Sequence, residues 1–323
     1  MVLPYVQYSY KRLIMKKITN YGLIFERLVN KTKEYIVNNG IQAMILGISG
    51  GIDSTVVSAI CHEVSVMTGI PLIGRSLPTN FNKEEETDAA TLVGKTFCTD
   101  FQTVHIGDWC KEIYSDFRLI EGEMTPIAKG NIQARFRMMY LYNLASIHRG
   151  IVMDTDNLTE NNLGYWTLHG DVGDFNPIGG LWKTEIFNLA EWLVKHYQAA
   201  STVMSHNRGI IYQLNRLEAM SKSLKLKPTA GLGITNNDLE ELGAESYEQV
   251  DAILQEILAW KWLSKERGDF PESTKEQREM FLDEQQMLCY PIEVILNITN
   301  RHFSSEFKRK KLPIKIERDS LLV

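Results

Sequence analysis

Apolar positions follow two rhythms along this chain. Ala43, Met44, Ile45, Leu46 and Ile48 form a short, nearly continuous run, which predicts a strand buried on both faces. It ends in glycine, and Thr55-Val56-Val57-Ser58-Ala59-Ile60, just beyond residues 49–54, reads as the opening of a helix. Residues 70–77 form a second strand candidate. Asn82-Lys83-Glu84-Glu85 then supplies an N-cap with an acid three positions on, and opens a helix to about Phe97. Residues 101–106 are expected as strand three, 130–148 as a helix and 150–155 as strand four. Further on, Ile186, Leu189, Ala190, Leu193 and Val194 recur at helical spacing, as do Val250, Ile253, Leu254, Ile257 and Leu258. Core packing accounts for both stripes, and no chemistry is assigned to either.

Strands alternating with helices predict an α/β fold with a doubly wound parallel sheet and helices on both faces, followed by additional C-terminal helices. In such sheets ligands gather outside the carboxyl ends of the strands, where the strand order reverses. No internal repeat, low-complexity tract or proline-rich linker sets a boundary. Residues 15–323 are therefore read as a single domain and 1–14, which show neither period, as a variable extension.

Composition narrows the function classes. At 323 residues with 44% apolar content, the chain can bury a full core. Thirty-five Lys and Arg against 40 Asp and Glu leave a net charge of −5, which argues against broad electrostatic capture of nucleic acid or anionic lipid. Cys61, Cys98, Cys110 and Cys289 are scattered with no C-x-x-C pair, so neither a zinc site nor a disulfide framework is indicated. With no membrane-length apolar stretch and no leader-like h-region, a cytoplasmic protein is expected.

The first candidate chemistry lies in residues 46–54, LGISGGIDS. Adjacent glycines let backbone N–H groups point at one anion, and the following helix N-terminus adds partial positive charge. Ser49 and Ser54 can donate hydrogen bonds. Asp53 would repel a phosphate unless a divalent cation stood between them, so it points to Mg²⁺. The ordinary alternative is a Gly-Gly turn with an Asp-Ser cap. The whole S-G-G-x-D-S string after a buried strand resembles the pyrophosphate loop of the ATP pyrophosphatases, which cleave ATP between its α and β phosphorus atoms. A Walker A lysine is absent.

The next motif is Lys129-Gly130-Asn131-Ile132-Gln133-Ala134-Arg135-Phe136-Arg137-Met138. Asn131 and Arg135, four apart beside a helix-opening glycine, share a face and can address one ligand together. Arg137 is expected on a solvated basic face. This helix is similar to the one that contacts deamido-NAD in the NAD synthetase family. The resemblance strengthens at Thr155-Asp156-Asn157-Leu158-Thr159-Glu160, and again at Gly170-Asp171-Val172-Gly173-Asp174 through Leu181-Trp182-Lys183-Thr184. Lys227-Pro228-Thr229-Ala230-Gly231-Leu232 and Glu306-Phe307-Lys308-Arg309 resemble two later family motifs, and the match runs in order from about 20 to 313.

This resemblance implies an adenine nucleotide alpha hydrolase-like fold and an ammonia-dependent NAD synthetase. ATP would be the co-substrate, deamido-NAD and ammonia the other substrates, and the assembly a homodimer. Gly47, Ser49, Gly50, Gly51, Ser54, Thr155, Lys183 and Thr229 would contact ATP. Asp53 and Glu160 would hold Mg²⁺, and Asn131, Arg135, Asp174 and Lys308 would face deamido-NAD. Asp53, Lys183 and Asp174 would be catalytic. Glutamine-using relatives carry an added amidase domain, for which the stretch before Met44 leaves no room, so ammonia is expected from solution or a partner.

The chain departs from the family pattern at Asp154, where glycine is usual, and at Leu168, where many members carry lysine. The acidic segment around Asp171 is one residue short, and Ser76 stands before the Leu77-Pro78 pair with Arg75 behind it. These changes leave the ATP half intact and loosen the dinucleotide half. Two rivals stay open: another adenylating amidotransferase or RNA-modifying enzyme on the same loop, and a non-catalytic nucleotide sensor.

Overall fold

Parallel pairing organises the whole sheet of this computed structural model, which describes residues 17–203, 207–227, 238–284, 290–311 and 314–315. Helix α1 (Tyr21–Asn38) precedes β1 (Met44–Gly47), α2 (Ile52–Thr68), β2 (Leu72–Ser76), α3 (Glu84–Phe97) and β3 (Asp100–Thr103). Then come α4 (Gly107–Glu121), α5 (Pro126–His148), β4 (Ile151–Met153), α6 (Leu158–Leu163) and β5 (Phe175–Asn176). Helices α7 (Lys183–Val203), α8 (Asn207–Lys225), α9 (Asp238–Leu242), α10 (Tyr247–Arg267), α11 (Thr274–Glu284) and α12 (Ile292–Ser304) follow, and β6 (Ile314–Lys315) closes the sheet.

The strand order β3-β2-β1-β4-β5-β6 reverses direction between β1 and β4. Ile45 of β1 lies opposite Ile73 on one side and Val152 on the other. The continuous apolar run of β1 is explained by burial on both faces. Met44 and Leu46 pack with α1, α2, α3, α7 and α8, whereas Ala43 and Ile45 pack with Cys110 of α4 and Met138, Leu141 and Ala145 of α5. A separate apolar cluster joins Leu163 and Trp182 to α9–α12. The C-terminal helices therefore brace the segments that leave β4 and β5 instead of covering the sheet.

Several local expectations shift. Helix α3 starts at Glu84 with Lys83 at the cap position, not Asn82. Asn82 is occupied in the preceding turn, where its side-chain oxygen accepts from the Thr79 N–H at 2.9 Å and its amide donates to Glu86 at 3.1 Å. Gly130 does not open its helix either. Thr125 caps α5 through the Ala128 N–H at 3.2 Å and Pro126 takes the first turn, a stronger start signal than glycine. The strands are each shorter than expected, and α4, β5 and β6 were not anticipated.

Candidate active site

The chain leaves β1 through Gly47 and turns at Gly50, whose φ of +85° suits glycine alone. A Cβ at Gly50 would stand 2.6 Å from both the Ala90 nitrogen and the Glu86 oxygen, so the loop lies flush against α3. Gly51 caps α2 without a side-chain bond, which leaves backbone donors at that N-terminus unclaimed by a cap. Beneath the turn, the Ser49 and Ser54 hydroxyls are 3.0 Å apart, and Ser54 donates to the Gly51 carbonyl at 3.1 Å. In front of it lies a cavity of about 250 Å³ that Gly47, Ser49, Gly51, Thr155, Arg137 and Asp171 help to line. Of the expected loop contacts, Gly50 and Ser54 support the turn from behind and do not line that space.

Beside the loop, three charges from distant parts of the chain meet. The Lys183 ammonium donates to Asp53 at 2.6 Å and to Glu160 at 2.9 Å. Lys183 is only 2% exposed, against 16% and 20% for the two acids. Burial alone would pull the ammonium down, but Asp53 and Glu160, then Tyr247, together hold it well above its usual value. The Tyr247 ring centroid lies 5.7 Å from the nitrogen, within cation–π range. One ammonium cannot neutralise two carboxylates. Burial pushes Glu160 up to about 7, with Lys183 pulling against the rise and Asp53 adding to it.

Local sequence explains how these groups are aimed. Asn157 and Glu160 form a capping box at α6: the Asn157 oxygen accepts from the Glu160 N–H at 3.0 Å and Glu160 accepts from the Asn157 N–H at 3.2 Å. The Asn157 amide then donates to Asp53 at 2.9 Å, joining the loop after β4 to the first turn of α2. Asp154, at the end of β4, keeps a negative φ, so glycine is not required there. Its buried carboxylate closes the strand end by accepting the N–H groups of Thr155 at 2.7 Å and Asp156 at 3.1 Å and the Asn176 amide at 3.2 Å. Burial pushes this carboxyl up to about 7 despite the bonds from Asp156 and Thr155.

The other expected residues are placed differently. Asn131 accepts from the Thr167 hydroxyl at 2.7 Å and Arg135 donates to the Leu168 carbonyl at 3.3 Å, so both hold the 167–168 segment and neither lines the cavity. Asp174 accepts from Tyr142 at 2.7 Å and from the Val152 N–H at 3.3 Å, beside β4. Lys308 donates to the carbonyls of Gly164 at 2.8 Å and Trp166 at 2.6 Å. Thr229 lies outside the described residues.

Arg137, expected on a solvated face, instead donates to the Leu77 carbonyl at 3.0 Å and to Asn82 at 3.3 Å while facing the cavity. The reason is that the 77–82 turn supplies acceptors directly across from its helix face. Arg75 also reaches the cavity, with its guanidinium paired to Asp100 at 2.7 Å. Sequence reasoning missed Asn157 and Asp251. The first was findable as an N-x-x-E cap, the second as an acid within the apolar stripe of α10.

Parallel strands wound in both directions, with a glycine loop and an acid–lysine group at the switch point, define an α/β protein of the adenine nucleotide alpha hydrolase-like fold. The family model for NAD synthase matches residues 24–312, and the chain belongs to that family. It is accordingly an enzyme, a ligase of NAD biosynthesis. An NH₃-dependent NAD⁺ synthetase of Wolinella succinogenes is 31% identical over 266 residues, covering 82% of this chain and 91% of that protein. One from Archaeoglobus fulgidus is 30% identical over 240 residues, covering 74% and 85%. The solved structure of NMN synthetase from Francisella tularensis superposes with a TM-score of 0.66 at 25% identity, covering 92% of this chain and 98% of that one.

Proposed function

We propose that the chain uses ATP to amidate deamido-NAD with ammonia, through an acyl-adenylate, giving NAD, AMP and pyrophosphate. The observation that carries this reading is the meeting of Asp53, Glu160 and Lys183 beside a glycine loop at the sheet's switch point. A nicotinate carboxylate oxygen attacks the ATP α-phosphorus, and the bond to the bridging oxygen of pyrophosphate breaks. Ammonia then adds to the acyl carbon, loses a proton, and AMP departs with the former carboxylate oxygen. Backbone donors of the 49–51 turn and the N-terminus of α2 orient the phosphates, and Lys183 neutralises charge on the leaving pyrophosphate. The cavity in front of the loop gives the adenylate a place beside these groups. No covalent enzyme intermediate is needed.

The acids fit Mg²⁺. Asp53 and Glu160 present hard oxygen donors from two sides of the Lys183 ammonium, and no third acid, histidine or cysteine joins them among the described residues, so an ion there would share the two carboxylates with that ammonium. That matches an ion bound through two carboxylates, with water and substrate phosphate completing its shell. When bound, Mg²⁺ would supply charge neutralisation at the triphosphate. Within the same reading, residues 15–323 act as one catalytic domain of a cytoplasmic homodimer. No helix among the described residues is long and apolar enough to cross a membrane.

One observation favours a second reading, in which the acceptor is the nicotinate mononucleotide. Arg135 and Lys308, two cations expected to serve the dinucleotide, are held by backbone carbonyls, and Leu168 stands where a lysine is usual. The Francisella NMN synthetase matches the chain almost end to end. Purified enzyme assayed with ATP, ammonia and each acceptor separates the readings. Deamido-NAD should be preferred in kcat/KM by at least about tenfold. Reversal of that preference selects the mononucleotide, and stoichiometric turnover of neither acceptor rejects both.

A further inference from the structure

Asp251 sits on α10, a helix whose apolar stripe suggests packing and nothing more, yet its carboxylate is 2% exposed and faces the segments carrying Glu160 and Lys183. One oxygen accepts the Thr159 hydroxyl at 2.5 Å, and the other accepts the Thr184 N–H at 3.1 Å. The Thr159 hydroxyl in turn accepts the Lys183 N–H at 2.8 Å. Thr159 immediately precedes Glu160, and Thr184 immediately follows Lys183. A single buried anion thus closes a path from the start of α6 to the first turn of α7, where the helix dipole also favours negative charge.

We propose that Asp251 is a positioning residue for the reaction, fixing the separation of Glu160 and Lys183 by bonding Thr159 and the α7 N-terminus at once. The proposal rests on the catalytic roles given to Glu160 and Lys183 above. A carboxylate is suited to this place because it offers an acceptor on each side. An amide would turn a donor toward one of the two donors, and a hydroxyl reaches only one segment. A group with no role but packing would have been cheaper as leucine or valine, since a buried carboxylate carries a desolvation penalty. Asp251 touches no reacting atom and acts through its neighbours.

The test compares Asp251→Ala and the milder Thr159→Val with Ile253→Val, a fully buried control on the same helix. Steady-state kinetics give kcat and KM, and hydrogen exchange reports residues 158–163 and 180–186. Asp251→Ala should lower kcat by about 100-fold, as expected for a misplaced catalytic pair, with KM for ATP within about threefold. Exchange should quicken in both segments more than in α12, Asp251→Asn should resemble alanine, and Thr159→Ser should recover most of what Thr159→Val loses. Ile253→Val should lower Tm while leaving kcat in place. The proposal is overturned if Asp251→Ala keeps kcat within about twofold, or if exchange in 180–186 is unchanged. Absence of amide synthesis by the wild-type enzyme strikes the functional reading instead, and the exchange result still judges the positioning.

Discussion

Lys183 and Asp53 lie 130 positions apart in the chain, yet their charged atoms are 2.6 Å apart at the carboxyl end of the sheet. The contact joins the first turn of α2 to the first turn of α7, with Glu160 on the ammonium's other side at 2.9 Å. Removing the lysine leaves two half-buried carboxylates facing one another. Lys183→Ala should therefore lower stability by about 1–3 kcal/mol, less than full breaking of a deeply buried pair because both acids reach solvent. It should also reduce pyrophosphate release by about 1000-fold or more. Urea unfolding and a pyrophosphate assay on the same preparation check both effects.

The two acids should set the demand for divalent cation. Chelation should abolish turnover and added Mg²⁺ should restore it. Glu160→Gln should raise the Mg²⁺ concentration for half-maximal rate by about tenfold or more. Mg²⁺ with ATP should also raise the wild-type Tm, and do so less in the variant. Full activity in the presence of chelator would remove the metal from the account.

Gly50 cannot accept a side chain without movement of α3. Its φ is +85°, and a Cβ would meet the backbone of Ala90 and Glu86 at 2.6 Å. Gly50→Ala should destabilise the fold by about 2 kcal/mol or more and raise the KM for ATP, because the loop must lift from its support. Denaturant titration and ATP saturation curves provide the check.

Much of this arrangement was legible from residue order, for identifiable reasons. Burial of β1 on both faces wrote itself as the unbroken apolar run before Gly47, and the need for a side-chain-free turn wrote itself as Gly50-Gly51. Strands β5 and β6 span two residues each, too few for any period. Partnership was harder to read than presence. Motif order brought Asp53, Glu160 and Lys183 forward as site residues, but assigning two to metal and one to phosphate did not reveal that lysine lies between the acids. Asn157, Arg137 and Asp251 were missed because their partners lie in other segments, and neither helical nor strand periodicity carries that information.

Asp154 gives a pH-dependent signature. Its folded-state value is pushed up to about 7, above that of the unfolded chain. Between about pH 4 and that value, folding takes up a proton, so this group's contribution to stability declines as pH rises, by at most about 1.4 kcal/mol per pH unit. Asp154→Asn, which keeps an acceptor for the Thr155 N–H but turns a donor toward the Asn176 amide, should flatten the dependence. Unfolding curves across this window, showing equal slopes for the two proteins, would refute the assignment.

The central claim is that a carboxylate oxygen of the substrate attacks the α-phosphorus of ATP at this site. The most direct measurement follows a heavy-oxygen label placed in the nicotinate carboxylate of deamido-NAD through turnover with ATP and ammonia. The account predicts one labelled oxygen in the phosphate of AMP, none in pyrophosphate, and the other retained in the amide of NAD. Label absent from AMP, or ADP and inorganic phosphate appearing in place of AMP and pyrophosphate, would contradict it.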